Sequence, residues 1–313
     1  VRTALVTGAT GQTGSYLVEL LAAEGVEVHA AVRPDDRTLP WQTAAQVHRH
    51  AADLFDGPGL ARLVFEVAPD TIFHLGGLTS VAESWDRGPD YARAIAVATS
   101  VLVDAASQLD ATGHPISFVH ASSAEIFGRP EVSPQDEHTP IAPVSPYGAA
   151  KAHAHVVVRL ARERGLAAGN AILFNHESPR RPPIFVTRKI TSGVADIAAG
   201  RAATLSLGNL DARRDWGWAP DYAAAILRIA DDPDDYVIAT GVARSVRDFV
   251  SAAFAAVGID DWTDLVVTDP RFLRPSDAPK LVGDSGRARE RLGWAPTIGF
   301  DEMVARMVAV DLE

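Results

Sequence analysis

The chain has 313 residues, 47% of them hydrophobic, a formal net charge of −11 and no cysteine. The length suits one large α/β domain with a smaller companion, and the acid surplus excludes nucleic acid as the main partner, since proteins that bind it present basic surfaces. The lack of cysteine excludes disulfides, thiolate nucleophiles and Cys-ligated zinc, and fits a reducing, cytoplasmic location.

No run of 18 uninterrupted apolar residues occurs, so no membrane span is expected. Val1-Arg2-Thr3 leads directly into the apolar run Ala4-Leu5-Val6, without the hydrophobic region and cleavage site of a secretory signal. The periodicity predicts strands at 4–6, 26–32, 71–75, 116–121 and 171–174. Between them it predicts helices at 14–24, 60–67, 92–108 and 146–164. Strands separated by helices of this length predict a Rossmann-type doubly wound parallel sheet. After residue 175 the pattern loosens around Pro179, Pro182 and Pro183. Helices are expected at 190–199, 220–230, 245–257 and 300–310, with short strands at 204–207 and 236–239. The expected division is a dinucleotide-binding domain over 1–170 and a smaller, substrate-binding α/β lobe over 171–313, with some segments of the second returning to the first.

Gly8, Thr10, Gly11, Gln12, Thr13 and Gly14 follow the first strand and open the first helix. Glycines there permit a tight turn and close approach of backbone to a pyrophosphate, which the helix N-terminus stabilises. Arg33 at the end of the second strand favours NADP by accepting a 2′-phosphate, while Asp35 and Asp36 leave NAD open. Asp53 and Leu54 stand where a third strand should end. Asp53 either flanks the adenine or caps a helix. Leu75, Gly76 and Gly77 close another strand with residues small enough to let backbone pass beneath a cofactor.

Tyr147 and Lys151 are four apart, which puts both on one helix face. An isolated phenol has a pKa of about 10; a nearby ammonium and a positive nicotinamide ring favour the phenolate. Tyr147 can then take a proton from a sugar hydroxyl while hydride leaves the same carbon. Ser123 and Glu125 lie just past a strand, at the edge where ligands bind. Ser123 can hydrogen-bond the reacting oxygen. Glu125 either caps a turn or abstracts a proton beside a ketone, which points to elimination. His74 and His120 read as packed, hydrogen-bonded core residues, and no histidine pattern joins further acids, so no metal is expected.

Taken together, the chain resembles the GDP-mannose 4,6-dehydratase family of extended short-chain dehydrogenase/reductases. The resemblance runs from residue 3 to the C-terminus, less closely over 34–52 and 77–110. It is carried by TGATGQTGSYL (7–17), LFNHESPRR (173–181), FVTRKIT (185–191), LGNLDARRDW (207–216), DDYVIATG (234–241) and DPRFLRPS (269–276). It implies an NADP-dependent, redox-neutral lyase. Tyr147 and Lys151 oxidise the sugar at C4, Glu125 removes the C5 proton, water leaves from C6 and hydride returns there. Ser123 stands where the family has Thr. Asn175, Lys189, Arg214 and Arg274 fall on positions that hold the nucleotide diphosphate, while Glu177 and Arg180 have no assigned role. Ala124, Leu78 and Ala96 replace polar residues, and Pro34 stands where the family has a second basic residue. The resemblance also implies a homodimer, with a tetramer as the alternative. A reductase or epimerase of the same fold and a nucleotide-sensing module are the competing readings; neither needs a base at C5.

Overall fold

The computed structural model describes residues 2–36, 46–270 and 280–313. Seven strands form the large sheet: β1 (Thr3–Thr7), β2 (Glu27–Val32), β3 (Val47–Ala51), β4 (Thr71–His74), β5 (Ser117–Ser123), β6 (Ala167–Leu173) and β10 (Asp235–Ile238). Their order is β10-β6-β5-β4-β1-β2-β3, and every pairing is parallel. A parallel sheet is covered on both faces, so its strands are apolar on both. Ala4 and Val6 pack on one face with Leu17, Val18 and Ile226, from the helices Gln12–Ala23 and Ala219–Ile229. Leu5 packs on the other with Leu60, Val64, Leu102 and Val158, from Gly57–Val67, Gly88–Ala111 and Pro146–Glu163. This is the expected fold class.

Helix starts follow local chemistry. Asp56 caps Gly57–Val67 by accepting from the Gly59 amide at 3.0 Å. Ser145 caps Pro146–Glu163 by accepting from the Gly148 amide at 3.0 Å, with Pro146 in the first turn. The helix expected at 92–108 runs over Gly88–Ala111, and Ala92–Val97 widens to a π turn. By length and composition this helix could cross a bilayer, but half of its most apolar stretch is buried, and Leu102, Val103 and Leu109 belong to the core.

The second half contains strands that local periodicity does not announce. The chain passes from β6 through Phe174 into β7 (Asn175–Glu177), which pairs with β9 (Arg213–Trp218). β9 also pairs with β11 (Ala243–Ser245) and β13 (Lys280–Leu281), while β8 (Leu205–Leu207), the strand expected at 204–207, pairs with β12 (Val266–Thr268). Their core holds Ile190, Val194, Trp216, Phe249 and Met307. After β9 the chain returns through Ala219–Ile229 to β10 at the edge of the large sheet, and residue 170 lies inside β6.

Candidate active site

A cleft of about 1280 Å³ opens where the strand order reverses between β1 and β4, and extends over β5 to β7 and β9. Crevices at such switch points are where doubly wound sheets bind ligands. Gly8, Thr10, Gly11, Gln12, Thr13, Gly14, Arg33, Asp53, Leu54, Leu75, Gly76, Ser123, Glu125, Tyr147, Lys151, Asn175, Lys189 and Arg214 all line it. Arg274 lies outside the described residues.

The glycine loop needs its glycines for space. Gly8 has φ +69°, and a Cβ on it would stand 2.7 Å from the Gly76 amide nitrogen. A Cβ on Gly14 would stand 2.1 Å from the Gly8 carbonyl oxygen. The side chains between them face inward. Gln12 donates to the His176 carbonyl (2.9 Å) and accepts from Ser178 (2.9 Å), and the Thr13 hydroxyl meets His176 Nε2 at 2.7 Å. These side chains brace the loop, within which the Gly11 amide donates to the Gly8 carbonyl at 3.0 Å. Thr7 accepts from the Gly76 amide at 3.1 Å, holding the ends of β1 and β4 together.

At the far end of this loop, Thr10 donates to Asp36 at 2.6 Å and Arg33 donates to the same carboxylate at 2.7 Å. The Arg33 bond holds the Asp36 carboxyl below its usual range. Arg49, from β3, donates to the Asp36 carbonyl, a contact that sequence reading missed. Two guanidinium groups therefore flank one turn, although Pro34 replaces the family's second basic residue. Asp53 is not the helix cap, which is Asp56; it folds back on the Phe55 amide at 2.9 Å and faces the cleft.

The catalytic candidates converge. β5 ends at Ser123, whose hydroxyl accepts from the Glu125 amide at 3.2 Å and caps the short 3-10 turn Ala124–Ile126. That turn carries Glu125 into the cleft beside Tyr147. Tyr147, Lys151 and Ser123 are buried, with 8%, 5% and 8% of their surfaces exposed. Lys151 Nζ donates to the Ala121 carbonyl at 2.7 Å, and burial pushes its pKa down to about 8. The phenol differs from expectation. Burial pushes it up to about 12; a hydrogen bond with Ser123 opposes this, and the Glu125 charge adds to it. The physical reason is its setting. Tyr91 meets it edge-to-face, Ile95 and Ala154 enclose it, and Leu78 and Ala96 pack on this cluster. Leu78 and Ala96 thus add apolar surface beside the phenol.

On the opposite wall, β7 presents Asn175, the helix Val186–Ala198 presents Lys189, and β9 presents Arg214. Sequence reading passed over Arg181. It lines the cleft with its guanidinium 3.6 Å above the Phe185 ring and 3.2 Å from Glu177, near enough to Tyr147 to favour its charged form. The second Arg of the ESPRR run was the available signal. Glu177 is buried and accepts from Thr187 at 2.6 Å; burial raises its carboxyl pKa. Arg180 points away, gripping Glu19 at 2.7 Å and lying 4.0 Å over the Tyr16 ring.

His74 is hydrogen-bonded as expected, to Thr7 at 2.7 Å and Thr99 at 3.0 Å. His120 is not. It stacks on His74 with ring centroids 5.5 Å apart, and among the described residues neither of its ring nitrogens has a hydrogen-bond partner.

The family profile described as GDP-mannose 4,6 dehydratase matches residues 5–307. GDP-mannose 4,6 dehydratase 2 of Arabidopsis thaliana is 41% identical over 329 residues, covering 99% of this chain and 87% of that protein. The human GDP-mannose 4,6 dehydratase is 40% identical, with 99% and 91% covered. Among solved structures, a putative epimerase from Burkholderia cenocepacia J2315 superposes with a TM-score of 0.85 at 27% identity, covering 99% of this chain and 98% of that one. With the cleft, the glycine cradle and the phenol–carboxylate pair in place, these matches make the chain a member of the GDP-mannose 4,6-dehydratase family.

Proposed function

We propose that this chain is an NADP-dependent lyase that converts GDP-mannose, or a close GDP-sugar, to its 4-keto-6-deoxy product. The observation that carries the reading is Glu125 beside Tyr147 in one cleft, since a simple reductase or epimerase has no use for a base at C5.

The residues present fit the cofactor. A Cβ on Gly8 or Gly14 would collide with the backbone of Gly76 or Gly8, so only glycines let the loop fold this tightly against the first helix, and Arg33 and Arg49 stand where a 2′-phosphate would be met. Leu75 and Gly76 pass beneath, and Asp53 and Leu54 border the adenine end. When bound, NADP supplies the hydride acceptor for C4, the donor for C6 and a positive ring that opposes the burial and the Glu125 charge holding the Tyr147 phenol protonated.

Tyr147 takes the O4 proton, with Ser123 holding that oxygen and Lys151 supporting the phenolate. The C4 ketone acidifies the neighbouring C5–H, and Glu125 removes that proton. Ala124 offers no hydroxyl, so Glu125 also delivers the proton that lets the C6 hydroxyl depart as water; once hydride has returned to C6, the proton that Tyr147 took from O4 would go back to the resulting enolate and restore the C5–H. Asn175, Lys189, Arg214 and Arg274 hold the nucleotide diphosphate, where Arg forks suit phosphate. Arg181 joins them from the same wall.

The smaller, substrate-binding lobe begins after β6 rather than at residue 171, which lies inside that strand, and Ala219–Ile229 and β10 return to the first lobe. A cytoplasmic homodimer, or a tetramer built from it, completes the proposal. The helices Gly88–Ala111 and Pro146–Glu163 would form the contact, and each leaves a large apolar side chain exposed, Val97 and Leu160. The test is incubation of purified protein and NADP with GDP-mannose. A 4-keto product without net NADPH consumption supports the lyase. Stoichiometric use of reduced cofactor means a reductase, and an unchanged sugar overturns catalysis on this substrate.

A further inference from the structure

Glu27 and His29 lie two apart on β2, and His48 and His50 two apart on β3. Side chains alternate across a strand, so each pair projects from one face. The parallel register sets His29 opposite His48 and brings both pairs to the same face. The sequence expectation of no metal rested on ligand spacing within single segments. Strand pairing joins two such segments that are twenty residues apart.

Glu27 Oε1 stands 3.6 Å from His29 Nε2 and 3.2 Å from His48 Nε2. The three donor atoms lie within 4.8 Å of one another. Donors sharing one tetrahedral ion at bonds of about 2.0–2.1 Å are separated by roughly 3.4 Å, so small side-chain rotations close the set. The fourth residue completes the pattern. His50 Nε2 is 2.8 Å from His29 Nδ1. A proton held on Nδ1 for that bond leaves the His29 Nε2 lone pair aimed at Glu27 and His48. Metal-ligating histidines are held this way by a partner at the other ring nitrogen. The side chains of Glu27 and His48 are 42% and 46% exposed, so an ion can enter from solvent and keep a water ligand. None of the three lines the catalytic cleft.

We propose that Glu27, His29 and His48 bind one divalent transition-metal ion of the Zn²⁺ class, with His50 orienting His29. Two imidazoles and one carboxylate suit Zn²⁺, Co²⁺ or Ni²⁺ rather than Mg²⁺ or Ca²⁺, which take oxygen donors. The ion would cross-link the terminal strand β3 to β2, beside the turn held by Arg33 and Arg49.

The test uses the full chain without an affinity tag, stripped with chelator and titrated with ZnCl₂ by calorimetry and with CoCl₂ by visible absorption. The expected result is one ion per chain, a melting temperature several degrees higher with Zn²⁺, and both effects absent in His48→Ala and Glu27→Gln. These two side chains are half exposed, so the metal-free variants should melt as the parent does. His50→Ala should bind Zn²⁺ about 10- to 100-fold more weakly. Failure of the parent to bind one equivalent, or binding unchanged in both His48→Ala and Glu27→Gln, overturns the site. Equal loss of Zn²⁺ from His50→Ala and from His48→Ala overturns the assignment of His50 as orienting rather than ligating.

Discussion

Lys151 Nζ donates to the carbonyl of Ala121, a 2.7 Å bond between the Pro146–Glu163 helix and β5 that fixes the amine under the cleft. Burial lowers its pKa from 10.5 to about 8. A lowered pKa contributes stability that is complete above the unfolded value and lost as pH falls through the folded one. The window is therefore pH 8 to 10.5, and below it the buried ammonium costs on the order of 3 kcal/mol. Lys151→Met should abolish turnover yet melt higher than the parent at pH 7. That gap should narrow between pH 8 and 10, as read by thermal or denaturant unfolding. A gap that does not change with pH would remove the charge from the account.

Glu125→Gln should leave nucleotide binding intact and lower elimination by about 10²-fold or more, as expected for loss of an acid/base group. Oxidation at C4 does not need this carboxylate. A single-turnover experiment should still show reduced cofactor by absorbance while the 4-keto-6-deoxy product fails to form. Near-normal turnover would take Glu125 out of the mechanism.

Gly14→Ala places a methyl 2.1 Å from the Gly8 carbonyl oxygen, with backbone rather than a movable side chain in the way. The loop must shift or the helix must tilt. A loss of about 3 kcal/mol or more is expected, with NADP binding lost wherever the chain still folds. Gly113→Ala is the control. Its added Cβ meets nothing within 4 Å, so only the positive φ of 89° is penalised, and cofactor binding should survive.

Arg33→Ala should weaken NADP more than NAD, and Arg49→Ala should do so in the same direction, because both guanidinium groups reach the turn at Asp36. Fluorescence titration with both dinucleotides reads this out. Equal losses for the two would mean that neither arginine meets the 2′-phosphate.

What was legible in the sequence was local. The glycine spacing of 8–14 and the four-residue separation of Tyr147 and Lys151 each sit in one turn of chain, and both fell into the cleft. Asn175, Lys189 and Arg214 came only through family likeness, since their convergence depends on β7 pairing with β9. β9 itself was hidden because RRDWGW opens on three consecutive charged residues and has no apolar run. Its Asp215 is buried, accepting from the Thr240 amide at 2.8 Å, the Gly241 amide at 2.8 Å and the Gly283 amide at 3.3 Å. No spacing rule joins those segments. The burial of Tyr147 was equally out of reach, because Leu78 and Ala96 gain meaning only from the side chain they pack near.

The brace that ties Gln12 and Thr13 to His176 and Ser178 has a consequence for how the molecule comes into being. The glycine loop leaves the ribosome well before the groups that satisfy its side chains, which emerge more than 160 residues later. The last strand of the large sheet, β10, follows later still. The nascent N-terminal half must wait, with an open sheet edge beside β6, for its finishing pieces. Such non-local closure makes for slow folding and a long exposure to self-association, so chaperone dependence during synthesis should exceed that of a helical protein of equal size.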